Sequence, residues 1–216
     1  VDKEDRLVGI ITVDDAIDVL KEEAEEDFEK MAAVTPSEDS YFKTKVITHA
    51  KNRMFWLLLL MISSTITGAI ITKYEAAFAA LPILVSFIPM IMGTGGNCGS
   101  QASTLIIRGL AMDEIRAKDI FKVMWKELRV SVLVGIVLAI VNGIRVLIQY
   151  QDMNLAIIVG LTLILTAVMA KLIGCVLPIV AKKVKLDPAI MAAPIITTIV
   201  DSCSVFAFFN IAMLFI

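Results

Sequence analysis

A single carboxylate stands inside a long apolar stretch near the end of the chain. Asp201 follows Pro188 by thirteen residues and is the only acid within the five long apolar stretches of the sequence. A charged side chain at the centre of a bilayer costs about 2.5–3.5 kcal/mol on insertion scales, so it usually faces water, a cation or a basic partner. Asp201 is therefore the first candidate for a cation-binding residue.

A second unusual feature is residues 89–101, PMIMGTGGNCGSQ, which lie inside another apolar stretch. Four of these residues are glycines, and each glycine weakens a helix by roughly 1 kcal/mol relative to alanine. Irregular backbone at membrane depth survives only where it lines protein or a wet cavity. The pattern predicts a helix that is broken at the glycines and that contributes to a pore or a binding site.

The two features are expected at the same depth. Asp201 lies about 20 Å along a helix that starts at Pro188, at 1.5 Å per residue. Gly96 precedes Arg108 by twelve residues, which places it about 18 Å from the same membrane face. This coincidence predicts one site that contains both the carboxylate and the glycine-rich segment.

The side chains available there suit Mg²⁺, which is small and hard and usually keeps several of its waters. A hydrated ion needs few carboxylates and many neutral oxygens. We expect charge from Asp201 and oxygens from backbone carbonyls and polar side chains at Gly93, Gly96, Asn97, Ser100, Thr104 and Thr197. Softer metals favour thiolate or imidazole, but the three cysteines (Cys98, Cys175 and Cys203) are interpreted as small buried hydrophobes.

Two alternatives concern the environment of Asp201. Lys171 lies well inside another apolar stretch, and a structural Lys171–Asp201 ion pair would explain the acid without any transport function. Five spans without an internal repeat also make a two-fold pathway within one chain awkward. A symmetric homodimer that brings two copies of Asp201 to a shared axis resolves this difficulty.

The elements that must position these residues are membrane helices. The 216-residue chain is 58% hydrophobic, whereas soluble domains are about 45–50% apolar. Apolar stretches at roughly 54–72, 78–109, 128–150, 154–181 and 188–216 are each long enough to cross a bilayer, and Asp187 is expected to cap the last one. Small residues at 135, 139 and 143, and at 170 and 174, predict close helix packing.

Charge sets the expected orientation. The first forty residues carry 14 acids and 4 bases, and the remainder carries 8 acids and 16 bases. Basic residues flank the first span and fill the loops between spans two and three and between spans four and five. The positive-inside rule therefore predicts a cytoplasmic N-terminus and an extracellular C-terminus in the plasma membrane.

The N-terminal region is expected to be a cytoplasmic fragment, since the chain starts at Val1 and its first residues resemble the end of a folded unit. Residues 7–13 predict a buried strand, and a helix is expected to open at Asp14. The acidic run 22–29 is either a solvated helix face or a divalent-cation sensor. Residues 35–39 predict a linker with Ser37 as a cap, followed by a basic amphipathic helix at about 38–52.

The order of these parts, with PMIMGTGGNCGSQASTLIIRGL at 89–110 and PIITTIVD at 194–201, resembles the MgtE family of magnesium channels and transporters. The resemblance implies an all-α homodimer with a central pore, in which hydrated Mg²⁺ is held near Asp201 with help from residues 93–104. It also implies domains at 1–34 (end of a CBS domain), 35–53 (linker or plug helix) and 54–216 (five-helix pore), with closure when intracellular Mg²⁺ bridges acidic surfaces.

The chain departs from the family pattern at three points. Most of the CBS pair is missing, so weak regulation is expected; Ser100 stands where some members carry Asn; and Lys171 has no family role.

The chain could transport Co²⁺, Mn²⁺ or Ca²⁺, or act as a non-conducting sensor. An intramembrane aspartyl protease needs two carboxylates, so we expect no enzyme, and we expect lipid but no nucleic acid as a partner.

Overall fold

The computed structural model describes residue 6 and residues 9–37, 40–75 and 81–215. In these ranges we number six α-helices: α1 Val13–Met31, α2 Val46–Lys73, α3 Ile88–Ala111, α4 Ile120–Tyr150, α5 Met153–Lys183 and α6 Ala193–Met213. Short 3₁₀ turns at Pro82–Phe87, Ala117–Asp119 and Pro188–Met191 lead into α3, α4 and α6.

Five of the helical segments are long and apolar enough to cross a membrane. They are Val46–Lys73, Pro82–Ala111, Ala117–Tyr150, Met153–Lys183 and Pro188–Met213. The prediction of five spans in an all-helical fold is confirmed. The first and third spans, α2 and α4, begin earlier than expected, because their basic ends continue the helix beyond the apolar stretch.

Helix α5 lies at the centre of the bundle and packs against α3, α4 and α6. The core is divided into three layers along the bundle. One layer is aromatic and contains Phe87, Phe208 and Phe209. The middle layer contains Cys98 and Val200 and continues the contact of α3 with α6. The third layer contains Ile106, Leu110, Cys175 and Ile179.

The segment that leads into α1 differs from the sequence expectation. Residues 7 and 8 of the predicted strand lie outside the described residues, and residues 9–12 form no strand. Thr12 and Asp15 form a reciprocal capping box that starts α1 at Val13, so the strand prediction is wrong for residues 9–13. A strand needs a neighbouring strand to satisfy its backbone, and the described part of the chain provides none.

The predicted break at the glycines is also wrong. Helix α3 is continuous from Ile88 to Ala111, and no described glycine has a positive φ. The irregular segment is instead the 3₁₀ turn Pro82–Phe87, which precedes the helix. Gly95, Gly96 and Gly99 remain helical because neighbouring helices approach them closely, and this packing outweighs their low helix propensity.

The small-residue stripes are only partly packing surfaces. A Cβ placed on Gly135 would lie 2.9 Å from Ile164 Cα, so α4 contacts the α5 backbone there. A Cβ on Gly174 would collide with the carbonyl oxygen of Gly99. Gly143, in contrast, has nothing within 4 Å of such a Cβ. The close approach predicted for residues 135 and 174 is found, whereas residue 143 faces open space.

The expected basic linker helix is not a separate element. Helix α2 starts at Val46 and runs without interruption to Lys73, so the basic segment and the first span form one helix. Thr67 is the only buried residue of α2 in the structure. Ser37 does not start this helix; its backbone N–H donates to Glu29 Oε2 at 3.0 Å. Movement of residues 46–53 would therefore be transmitted directly to the membrane segment.

Candidate functional site

The site is built on the face of α3 that packs against α6. A Cβ placed on Gly96 would lie 2.9 Å from Thr197 Cγ2, and one on Gly95 would lie 2.8 Å from Val200 Cγ1. These distances are shorter than ordinary van der Waals contact, so only glycine permits this helix separation. The prediction that the glycine-rich segment and the region of Asp201 share one depth is therefore supported by direct contact, since Thr197 is one turn from Asp201.

The opposite side of α3 is polar and exposed. Its members recur every three or four residues, which is one face of a helix. They are Gly93, Asn97, Gln101, Thr104 and Arg108, all exposed, with Ser100 half-buried beside them. We call this set the α3 polar face. It lies within a membrane-length helix, although neighbouring positions of the same helix are fully buried.

Asp201 is half-buried on α6, between two faces with different partners. Val200, about 100° to one side, packs against α3, and Ser202, about 100° to the other side, faces α2. No hydrogen bond or ion pair joins the Asp201 carboxylate to another of the described residues. The acid thus lies beside the α3 contact with its oxygens available to a ligand.

The hydroxyls around Asp201 hold the surrounding backbone. Thr197 and Thr198 both donate to the carbonyl oxygen of Pro194, at 2.9 and 3.0 Å. Ser202 Oγ lies 2.7 Å from Thr67 Oγ1 on α2. This hydrogen bond links the otherwise loosely packed α2 to the residue next to Asp201.

Lys171 does not form the structural pair that was the alternative for Asp201. It is 5% exposed on α5, and no ion pair joins it to Asp201 in the described ranges. Its neighbour is the Cys98 thiol on α3, with which it interacts electrostatically. The structural Lys171–Asp201 pair is therefore not formed. The three cysteines are free thiols, with Cys98 and Cys175 buried as expected and Cys203 half-buried.

Sequence reasoning missed a buried acid on α4. Glu127 is 9% exposed on α4 and interacts electrostatically with Cys175 on α5. The apolar stretch was taken to begin at residue 128, whereas the helix begins at Ile120. The sequence pattern could have predicted that residue 127 lies on the inner face of this helix. The residues at helical spacing around it are apolar at 120, 123, 124 and 128, and Ser131 is buried.

A second polar cluster lies at the start of α6. Lys30 Nζ is 2.6 Å from Asp187 Oδ2 and 2.6 Å from Glu26 Oε1. Asp187 also accepts from the Ala189 N–H at 2.9 Å, which confirms it as the expected cap of this span. We call the Lys30–Glu26–Asp187 contact the α1 latch, because it joins the acidic helix α1 to the turn that leads to Asp201.

The latch charges affect one another. Hydrogen bonds to Asp187 and Glu26 raise the pKa of Lys30. Burial raises the pKa of Asp187, but the hydrogen bonds from Lys30 and Ala189 outweigh it, so that its pKa is lowered overall. Burial and the nearby Asp187 charge raise the pKa of Asp27. A cavity of about 130 Å³ lies between Asp27, Asp187 and Lys182.

The described residues contain no group of three or more histidine, cysteine, aspartate or glutamate side chains that could hold a bare metal ion. The α3 polar face offers neutral oxygens, and Asp201 offers one carboxylate. Such a set suits an ion that retains water, because a dehydrated Mg²⁺ would demand several protein oxygens in octahedral geometry.

Comparisons with known proteins point to one family. Residues 88–211 match the MgtE family, described as a divalent cation transporter. The chain is 39% identical to the magnesium transporter MgtE of Bacillus subtilis (strain 168) over 216 residues, which is 100% of this chain and 48% of the relative. It is 35% identical to the magnesium transporter MgtE of Thermus thermophilus over 216 residues, 99% of this chain and 47% of the relative.

A third relative, the magnesium transporter MgtE of Enterococcus faecalis, is 34% identical over 218 residues, covering 99% of this chain and 47% of the relative. The chain thus spans about half the length of these curated relatives. Their names describe transport and not an enzymatic reaction, and the five apolar helices fit a multi-pass membrane protein. Because the family match covers more than half of its residues, the chain belongs to the MgtE family of divalent cation transporters.

Proposed function

We propose that two copies of this chain form a pathway for Mg²⁺ across the plasma membrane, with the α3 polar face and Asp201 of each copy on a shared axis. The observations that carry this proposal are the exposed polar face of α3 and, on the neighbouring helix α6, a carboxylate without a partner among the described residues, both within membrane-length helices. Exposure of such a face to lipid would be costly, because lipid cannot satisfy amide and hydroxyl groups.

A homodimer suits the charge of the ion. One chain offers Asp201 alone at this level, so two copies would present two carboxylates to one divalent cation. The ion would cross with much of its water, since Mg²⁺ dehydrates reluctantly. This is the reason for proposing a wet axis between the copies and not a protein cage within one of them.

The proposed ligand roles follow from the intact helix. Asp201 supplies charge, and the side chains of Asn97, Ser100 and Thr104 supply neutral oxygens to the hydration shell. The glycine carbonyls already accept helical hydrogen bonds, so we assign Gly93 the role of keeping the axis wide. Gly96 and Thr197 hold α3 and α6 together behind the ligands.

Mg²⁺ is proposed as the ion because the curated relatives are named magnesium transporters. The description of the family model names divalent cations more broadly, which favours Co²⁺, Mn²⁺ or Ca²⁺ as the second candidate. Uptake by reconstituted vesicles tests both. We expect Mg²⁺ entry that a tenfold excess of Ca²⁺ does not abolish. Vesicles that accumulate no Mg²⁺ would contradict the proposal; entry of Co²⁺, Mn²⁺ or Ca²⁺ would then favour the second candidate, and entry of none of these ions would favour a non-conducting sensor.

For the remainder of the chain we propose the end of a cytoplasmic CBS domain at 1–34, a linker at 35–53 and the pore domain at 54–216. The N-terminus would be cytoplasmic and the C-terminus extracellular. Intracellular Mg²⁺ would bind acidic residues of α1 and close the pore. The α1 latch supports this proposal, because it connects that helix to the start of α6.

A further inference from the structure

The outer surface of α4 carries a pattern that the transport proposal does not use. Cationic and aromatic side chains lie at one end of this surface, and aliphatic side chains follow along the same face. Its members are Lys122, Trp125, Arg129, Leu133, Ile136 and Ile140, spaced by three or four residues and exposed. We call this set the α4 outer lane.

The lane lies opposite the packed side of its helix. The buried positions of α4 include Glu127, Ser131, Gly135 and Asn142, which are about half a turn away from the lane. Among the described elements, α4 packs chiefly on α5 and on the turn Ala117–Asp119. Within one copy of the chain, the contacts of the lane with described residues are therefore local ones, such as that of Lys122 with Asp119.

The length of this span places the charged end among lipid headgroups. The segment Ala117–Tyr150 has 34 residues, which corresponds to about 51 Å of helix. The hydrocarbon core requires only about 20 residues. From Val130 to Ile144 the helix has no charged residue, so this part fits the acyl chains and the basic end must extend beyond them.

The cationic side chains are arranged around an aromatic ring. The Arg129 guanidinium carbon lies 5.8 Å from the centre of the Trp125 ring, and Arg129 Nε donates to the Trp125 carbonyl at 3.4 Å. Arginine has five N–H donors, and no other hydrogen bond joins this guanidinium to a described residue. Lys122 is 86% exposed, and its contact with Asp119 is long at 3.6 Å.

We propose that the α4 outer lane binds an anionic phospholipid, with its phosphate between Lys122 and Arg129. Trp125 lies between the two cations, at the membrane interface that indole favours. The acyl chains run along Leu133, Ile136 and Ile140. Lys122, Trp125 and the Arg129 guanidinium, which lies over the Trp125 ring, form a polar end of this face, and aliphatic side chains follow. This sequence matches the headgroup region and hydrocarbon of a lipid, which a protein partner would not require.

Tryptophan quenching tests the proposal directly. The chain has two tryptophans, so Trp56→Phe leaves Trp125 as the only fluorophore. The protein is reconstituted in phosphatidylcholine vesicles that contain brominated phosphatidylglycerol, or brominated phosphatidylcholine as the zwitterionic comparison. We expect phosphatidylglycerol to bind beside Trp125 about threefold or more tightly than phosphatidylcholine, with the preference falling at high salt.

A double substitution identifies the headgroup site. Lys122→Gln with Arg129→Gln should reduce the preference to about one, because surface substitutions leave the fold intact. Lys183→Gln with Lys185→Gln removes the same charge from the exposed end of α5 and the turn after it, and should retain the preference. Equal quenching by both lipids in the parent protein would overturn the proposal, as would a preference that persists in Lys122→Gln/Arg129→Gln. Trp125 shielded from both lipids would indicate a second copy on this face and would also overturn it.

Discussion

Replacing Gly174 by alanine tests the close packing that positions α3. An alanine Cβ at residue 174 would collide with the carbonyl oxygen of Gly99 and would lie 3.2 Å from Ala102 Cβ. The Gly99 atoms are backbone, so no side-chain rotation can relieve the collision. Since comfortable heavy-atom separations are about 3.5–4.0 Å, α3 and α5 must separate by roughly 1 Å.

The magnitude follows from this separation. Overpacking in a close-packed interior costs about 1–3 kcal/mol, and the backbone contact places Gly174→Ala at the upper end. Gly143→Ala is the matched control, because a Cβ at residue 143 meets nothing within 4 Å. That change should be neutral or stabilising by up to about 1 kcal/mol through helix propensity. The two variants should therefore differ by about 2–4 kcal/mol.

Thermal unfolding of the purified protein in detergent measures the difference. At about 2–4 °C per kcal/mol for a chain of this size, Gly174→Ala should lower Tm by roughly 4–12 °C. Gly143→Ala should leave Tm unchanged or slightly raised. If both variants unfold at the temperature of the parent protein, the contact between Gly174 and Gly99 is looser than described, and the explanation of the intact α3 fails.

Two further changes probe the connections of α2 and α1. Thr67→Val keeps the side-chain shape but removes the 2.7 Å hydrogen bond to Ser202. It should weaken the α2–α6 contact by about 0.6–2 kcal/mol and lower the maximal Mg²⁺ uptake rate. Thr67→Ser keeps the hydroxyl and should restore that rate. Normal uptake by Thr67→Val would remove this bond from the account. Lys30→Met should release the α1 latch and speed amide exchange in α1 about fivefold, since a partly exposed ion pair contributes at most about 1 kcal/mol. The same substitution should weaken inhibition by internal Mg²⁺. The latch should hold between about pH 5 and 9. Asp187, whose pKa is lowered, becomes protonated only below about pH 3.8, and Lys30, whose pKa is raised, loses its proton only above about pH 10.5. Amide exchange in α1 that changes between pH 6 and 8, after correction for intrinsic rates, would contradict this expectation.

Composition and capping chemistry were sufficient to predict the five spans and the start of the last one. Asp187 followed by Pro188 is a strong local signal, because the cap depends only on neighbouring backbone groups. The ends of α2 and α4 were harder to predict. Their basic residues continue the helices beyond the apolar stretches, and hydropathy alone does not detect such extensions.

The intact α3 could not be predicted from local propensity. Glycine lowers helix stability when the residue is considered alone, but Gly95, Gly96 and Gly99 are each held by side chains of α6. Those contacts join residues about 100 positions apart in sequence. The same limitation explains why Lys171 could not be assigned: only the fold separates it from Asp201 and places it beside Cys98.

The most direct test of the account is Mg²⁺ uptake by vesicles that contain the Asp201→Asn variant. Asp113→Asn is the matched control, because Asp113 is an exposed loop acid with φ 55°, a conformation that asparagine tolerates. We expect uptake to fall at least tenfold in Asp201→Asn and to remain unchanged in Asp113→Asn, with both variants folded by thermal unfolding. Uptake by Asp201→Asn at the parental rate would contradict the central claim that this carboxylate attracts the passing ion.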